Sequence, residues 1–337
     1  MVDNEDPDLF KEAMAVTYPP ELVRVAIYNE PNLTAPAYAS MPGTLRNNVT
    51  QFAAMLNSHG YQTTLLDVHD IYNNELMTAQ YDVFALVDNF PRENITERVR
   101  DFWIAGGSLL AFDGVIDFFC YFGILPPETA GGTGWGTYWV AGEDMTVYER
   151  HPVSQDYDVN DALTQPTSYT FAVWDWPMIS GSSIGSYCTR VARTVSDPDG
   201  CSVLAFNPED RGGRIVTFSY DYGFFAWPDI HPMIVDAVQW LCPRPKARIA
   251  IDYTHNPYFK VDIWDIGANP SSLFTQFRNS LVNRSHTVDK LRPSATGNLT
   301  NSRLAPYDVL ICVVPNTGFN YSATEVLSVT DFVLNGG

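Results

Sequence analysis

Short apolar runs alternate with stretches of helical period through the first third of the chain. Residues 23–28 form a continuous apolar run, as expected of a strand buried on both faces of a parallel sheet. Leu45, Val49, Phe52 and Leu56 then recur at helical spacing, and Gly60 supplies a C-cap. Residues 62–66 and 82–87 predict the next two strands. Ile95, Val99, Phe102 and Trp103 mark one face of the following helix, and Gly106-Gly107 leads into a fourth strand over 108–112. Strand and helix alternating in this way predict a doubly wound, mostly parallel α/β sheet of flavodoxin-like type. From about 124 to 206 the pattern breaks into short, aromatic, turn-rich pieces, which suit an inserted antiparallel region. A strand over 214–220 and a helix over 232–241 close the unit.

The pattern then restarts. Arg24-Val-Ala-Ile-Tyr28 reappears as Arg248-Ile-Ala-Ile-Asp252, and the Tyr-Asp-Val strand at Tyr81 reappears at Tyr307. Asp101-Phe-Trp-Ile-Ala-Gly-Gly107 reappears as Asp331-Phe-Val-Leu-Asn-Gly-Gly337, and Phe52 and Leu56 match Phe277 and Leu281. An offset of about 225 residues points to one α/β module used twice rather than to a short solenoid repeat. The second copy stops where the first begins its next strand, so the sequence reads as one whole unit and half of another. The expected division is an irregular tail over 1–21, a first domain over 22–243, a proline-stiffened linker over 244–247 and an incomplete second domain over 248–337.

Charge narrows the possible partners. Thirty-nine acidic residues against 20 basic ones give a net charge of −19, which disfavours nucleic acid and anionic lipid. No apolar run is long enough to span a membrane. Asn-x-Ser/Thr sequons begin at Asn32, Asn48, Asn94, Asn283, Asn298 and Asn320, which favours an extracellular or cell-surface location, with the cytoplasm as the alternative. Five scattered cysteines show no zinc spacing. Cys188 and Cys201 flank a turn at Asp197-Pro-Asp-Gly200, which leaves two readings open: a local disulfide or two buried thiols.

The order of strands, the Tyr-Asp-Val strand, the Gly-Gly-Ser-Leu-Leu110 segment, Gly212-Gly-Arg-Ile-Val-Thr-Phe218 and Asp236-Ala-Val-Gln-Trp-Leu241 together resemble the class I glutamine amidotransferase-like superfamily. The resemblance is greatest to its trehalose-utilisation-type, non-amidotransferase branch. It spans roughly 22–243 and again 247–337. In true amidotransferases a cysteine occupies a strained elbow after the fourth strand, where a helix N-terminus lowers its pKa. Here Leu110-Ala-Phe-Asp-Gly-Val115 places Asp113 at that position, and Cys120 falls later, inside the expected helix. The family's His-Pro-Glu is replaced by Ser219-Tyr-Asp-Tyr222, and His231-Pro-Met lies about ten residues further on. The resemblance therefore implies the fold without the catalytic triad, and no catalytic residue is assigned.

Ligands of open α/β sheets bind outside the carboxyl ends of the strands. Glu30, Asp88, Asp113 and Asp221 fall at such ends, and Trp135, Trp139, Trp174 and Trp176 could offer flat faces to sugar rings. The carboxylates could bind a hard cation or perform acid–base work on a glycosidic bond. They could equally be helix and turn caps, and the tryptophans a packing seam. The second copy carries Asp252 and His255 after its first strand, so any site there differs from the first. No cofactor and no metal site are expected. The leading expectation is a non-catalytic binding or assembly module of a larger secreted or surface protein, with a glycan or protein ligand and association through the incomplete second domain. The alternative is a carbohydrate-active hydrolase built on the carboxylates.

Overall fold

The computed structural model describes residues 19–29, 49–87, 93–126, 137–141, 144–166, 170–208, 211–220, 222, 226–270 and 273–337. Glu30, Asp88, Asp221 and Trp135 lie outside them, as does most of the expected N-terminal tail.

The first half-unit follows the apolar runs. Strand β1 (Arg24–Tyr28) leads to helix α1 (Val49–Ser58), which buries Val49, Phe52, Ala53, Met55 and Leu56. Gly60, at φ 92°, turns the chain into β2 (Gln62–Leu66), a turn that a glycine makes without steric cost. Helix α2 (Val68–Tyr72) starts from a capping box between Asp67 and Asp70. Next come β3 (Val83–Leu86), α3 (Thr96–Ile104), β4 (Ser108–Phe112) and α4 (Val115–Tyr121). The aromatic middle forms β5 (Thr137–Ala141), β6 (Met145–Val147), β7 (Ala162–Leu163), β8 (Thr170–Asp175), α5 (Trp176–Ser180), β9 (Cys188–Thr194) and β10 (Gly200–Phe206). Strand β11 (Ile215–Phe218) and helix α6 (His231–Leu241) complete this part.

These strands form one eleven-stranded sheet in the order β2-β1-β3-β4-β11-β10-β9-β6-β7, with β8 paired to β10 and β5 paired to β8. The pairs among β2, β1, β3, β4 and β11 are parallel and give the 2-1-3-4-5 order of a flavodoxin-like sheet. From β10 outward every pair is antiparallel. One apolar layer packs β1, β3, β4 and β11 against α1 and α6, and another packs the opposite face against α3 and α4.

The ladder between β9 and β10 also decides the cysteine question. Cys188 stands opposite Phe206 and Cys201 opposite Arg193, at opposite ends of the pairing. Both thiols are free and buried. A disulfide needs Cα atoms within about 7 Å, and the register does not provide that.

A second sheet follows, built from β12 (Arg248–Asp252), α7 (Thr275–Val282), β13 (Thr287–Leu291), α8 (Asn301–Leu304), β14 (Val309–Ile311) and α9 (Ala323–Leu334). Its parallel order, β13-β12-β14, matches β2-β1-β3 of the first sheet. Local detail matches as well. Asp82 N–H donates to Arg24 O at 2.8 Å while the Asp82 carboxylate accepts the Arg24 amide at 2.9 Å. Asp308 and Arg248 repeat both bonds, at 2.8 and 2.7 Å. Gly107 packs so closely on the Phe102 ring that any side chain would collide with it, and Gly337 does the same on Phe332.

Strand β13 is where the two sheets are joined. Its sequence, Thr-Val-Asp-Lys-Leu, looks polar, yet all five residues are buried. Val288 N–H donates to Ala105 O at the end of α3, at 2.8 Å. The Asp289 carboxylate accepts the amides of Thr78 and Ala79 and the Tyr307 hydroxyl, each within 3.1 Å. Lys290 reaches Asp101 at 3.1 Å and both Asp262 and Asp265 at 2.7 Å, and Arg278 grips Asp262 with two bonds. Burial alone would push Asp262 up, but Lys290 and Arg278 outweigh it and hold the carboxyl below its ordinary range. Charges taken out of water persist only when paired and hydrogen-bonded in this way.

Candidate functional site

The end of β4 is the part of the first sheet built most like a site. All five strand residues are buried, and β4 pairs in parallel with β11 so that Phe112 stands beside Phe218. The chain then turns sharply through Asp113, whose φ of 50° lies in the left-handed region, and Gly114 before α4 begins. Few residues other than glycine adopt that conformation, and Asp is among the more tolerant. Asp113 N–H donates to Phe218 O at 2.7 Å, which fixes the turn to the neighbouring strand. The geometry is that of a strand-to-helix nucleophile elbow, with a carboxylate in place of a thiol and only 1 % of the residue exposed.

Asp117 is the third residue of α4, four positions after Asp113. Burial and then the Asp113 charge push its carboxyl up to about 6. Its Oδ1 is buried without a hydrogen-bond partner among the described residues. Like charges brought together favour holding one proton, so this pair can offer an acid near neutral pH. The sequence reading did not select Asp117, although its i,i+4 spacing from Asp113 was visible.

Aromatic rings link the elbow to the N-terminus of α6. Phe112 packs against Tyr222 with ring centroids 5.7 Å apart, and Tyr222 stacks on His231 at 6.0 Å. The Tyr222 hydroxyl lies 3.4 Å from His231 Nε2. Burial, then the neighbouring His59, lowers the His231 imidazole below its ordinary value. The thiols of Cys188, Cys201, Cys242 and Cys312 are all pushed up, with burial the largest cause each time. Cys120 is buried inside α4.

The tryptophans belong to the antiparallel extension. Trp174 is fully buried and packs in the core. Trp176 opens α5 behind an Asp175 cap, is half-buried, and has the Arg190 guanidinium 5.5 Å from its ring centre. Trp139 lies on β5 opposite Ala172 of β8. Of the candidates read from sequence, Asp113 alone falls at the elbow among the described residues, and its carboxylate companion there is Asp117.

A second cluster occupies the end of β12. The Asp252 carboxylate accepts the Thr254 amide at 2.8 Å and hydroxyl at 2.6 Å, and the Tyr321 hydroxyl at 2.8 Å. His255 Nδ1 lies 3.0 Å from Asp252 Oδ2, and Nε2 lies 3.4 Å from Glu325 Oε1. Burial would raise the Glu325 carboxyl, but its bonds to Ser322 and the nearby His255 outweigh that and hold it low. Both ring nitrogens of His255 are thus occupied. The cluster ties the start of α9 to the sheet and leaves no open coordination position on the imidazole. Among the described residues, no group of three or more His, Cys, Asp or Glu side chains is placed to hold a metal ion.

No family model matches the chain, and no curated protein does. Solved structures do. A ThuA-like protein from Bacteroides uniformis aligns at 13 % identity over 67 % of this chain and 94 % of its own, with a TM-score of 0.47. A ThuA-like protein from Parabacteroides merdae aligns at 11 % identity over 65 % of this chain and 89 % of its own, at 0.38. A β-galactosidase from Bacillus circulans aligns at 11 % identity over 67 % of this chain and 32 % of its own, at 0.42.

Proposed function

We propose that the chain is a non-catalytic binding or assembly module on an amidotransferase-like scaffold, secreted or displayed at the cell surface. The observation that carries this reading is the elbow. Amide hydrolysis by this type of site requires an accessible thiolate at the turn, and the turn holds a buried Asp113 instead. The raised thiols elsewhere support the same view, because a thiol held protonated is a poor nucleophile. The matching strand orders of the two sheets and their repeated Arg–Asp bonds support tandem use of one module, divided near 243–248. Exposed sequons at Asn94, Asn283 and Asn320 support passage through a glycosylating compartment.

A specific observation favours one other reading, a carbohydrate-active hydrolase. Asp117, raised to about 6 beside Asp113, has the character of a general acid. Turnover of glutamine and of a panel of nitrophenyl glycosides separates the two. The module reading expects none above background. Glycoside turnover that disappears in Asp117→Asn, with folding unchanged, would establish the hydrolase. Glycan binding that weakens in Trp176→Ala without turnover would name the ligand class of the module.

A further inference from the structure

Next to the Lys290 junction the chain encloses a polar cavity of about 800 Å³. One wall comes from residues 72–80 and Arg98 of α3, the other from residues 291–307, and no lining residue lies beyond Tyr307. The cavity reverses the charge of the molecule. The chain carries a net charge of −19, yet the lining sets three arginines, Arg98, Arg292 and Arg303, against one acid, Glu75.

The three guanidinium groups are not equally matched. Arg292 is fully engaged: Asp101 accepts from its Nε at 2.9 Å, and Glu97 lies 2.8 Å from its Nη2. Arg303 donates to the carbonyl oxygens of Gly297, Asn298 and Arg292, which braces the loop after β13, and no carboxylate among the described residues bonds to it. Arg98 is the least satisfied. Glu97 Oε2 lies 3.1 Å from its Nη1 without the alignment of a hydrogen bond, and both Nε and Nη1 are buried with no hydrogen-bond partner among the described residues. Burial lowers both Arg98 and Arg303 below the ordinary guanidinium value, and the Arg292 charge adds to this at Arg98. Keeping a guanidinium in that state is costly, and an oxyanion that accepts its parallel N–H bonds relieves it.

The same walls also lack a donor. Asn74, at a φ of 68°, donates its Nδ2 to Pro293 O at 3.4 Å, and its Oδ1 is buried with no partner among the described residues. The hydroxyls of Ser294 and Thr296, 2.9 Å apart, belong to the same lining. Unmet donors beside an unmet acceptor suit a ligand that carries an oxyanion and hydroxyl groups together. A bare inorganic anion would fill little of this volume, which is that of a pocket for a small organic molecule.

We propose that this cavity binds a hydroxylated oxyanion, an acidic or phosphorylated sugar, with Arg98 and Arg303 on the anionic group and Asn74 and Ser294 on the hydroxyls. The arginine fork matches carboxylate and phosphate alike. The site shares no lining residue with the Asp113 elbow and goes beyond the module reading.

The test uses the full chain, with glucuronate, glucose 6-phosphate, inorganic phosphate and glucose as probes in titration calorimetry and thermal unfolding. Saturable binding of glucuronate or glucose 6-phosphate is expected, at least tenfold tighter than that of inorganic phosphate, and none of glucose. The tighter of the two acids names the anionic group. Arg98→Met should weaken binding at least tenfold while leaving the unfolding temperature unchanged or raised, because it removes an unpartnered guanidinium. Asn74→Asp keeps a residue that tolerates the left-handed backbone, places a carboxylate in the lining, and should weaken binding as much. Failure of both acids to bind overturns the proposal, as does affinity indifferent to both substitutions. Glucose or inorganic phosphate binding as tightly as the acids also overturns it. A lowered unfolding temperature in Arg98→Met would assign that guanidinium to structure and remove it from the site. Glycoside turnover alongside intact acid binding would remove the non-catalytic reading and leave this site standing.

Discussion

The Asp113–Asp117 pair and the Asp252–His255–Glu325 cluster lie at the ends of parallel strands and treat buried acid in opposite ways. At the end of β12, an imidazole stands between two carboxylates, and Thr254 and Tyr321 supply hydroxyl donors. At the end of β4, the two carboxylates face each other's charge, and one Asp117 oxygen lacks a partner among the described residues. A compensated cluster fixes structure. A buried carboxylate raised by burial and a neighbouring charge, with one oxygen unpartnered among the described residues, is relieved by a ligand or a proton, so the β4 end is where chemistry or binding should be sought.

The comparison is open to disruption, most severely at the compensated end. Asp252→Ala strands His255, Thr254 and Tyr321 in a buried space and should cost about 3 kcal/mol or more in urea unfolding. An equal loss from Asp113→Asn would erase the distinction between the two ends. A smaller effect is expected from Asp117→Asn, and it should depend on pH. The folded-state carboxyl is raised, so its contribution is complete below pH 4, the ordinary carboxylate range, and is lost as pH rises through about 6. Removing it should flatten the stability curve between those values; an unchanged slope would show that the Asp117 carboxyl is not raised in the folded protein. Smallest of all should be Asp113→Asn itself, because asparagine tolerates the same left-handed backbone. A change under about 1 kcal/mol is expected.

Much of the first sheet was legible because its central strands are buried on both faces and their sequences are continuously apolar. The fourth strand, over 108–112, was found with its observed bounds. The elbow at Asp113 was legible from its position between that strand and a glycine. Strand β13 was not, because the partners with which Asp289 and Lys290 are buried include Thr78, Ala79 and Asp101, all more than a hundred and eighty residues away. Periodicity cannot anticipate a charged strand whose burial depends on another part of the chain. Asp117 was missed for a related reason: its raised carboxyl comes from the surrounding burial, and in a chain of 39 acids its residue type carries little information.

The junction at α3 also orders events during synthesis. Asp101 lies 189 residues before Lys290, the cation that reaches it across the two sheets. At ordinary elongation rates of about 5 to 20 residues per second, Lys290 emerges on the order of ten to forty seconds after Asp101. Throughout that interval the nascent first sheet presents the Ala105 carbonyl and the Asp101 carboxylate with their eventual partners still untranslated. Water or a chaperone must cover that surface on the ribosome until β13 arrives to claim it.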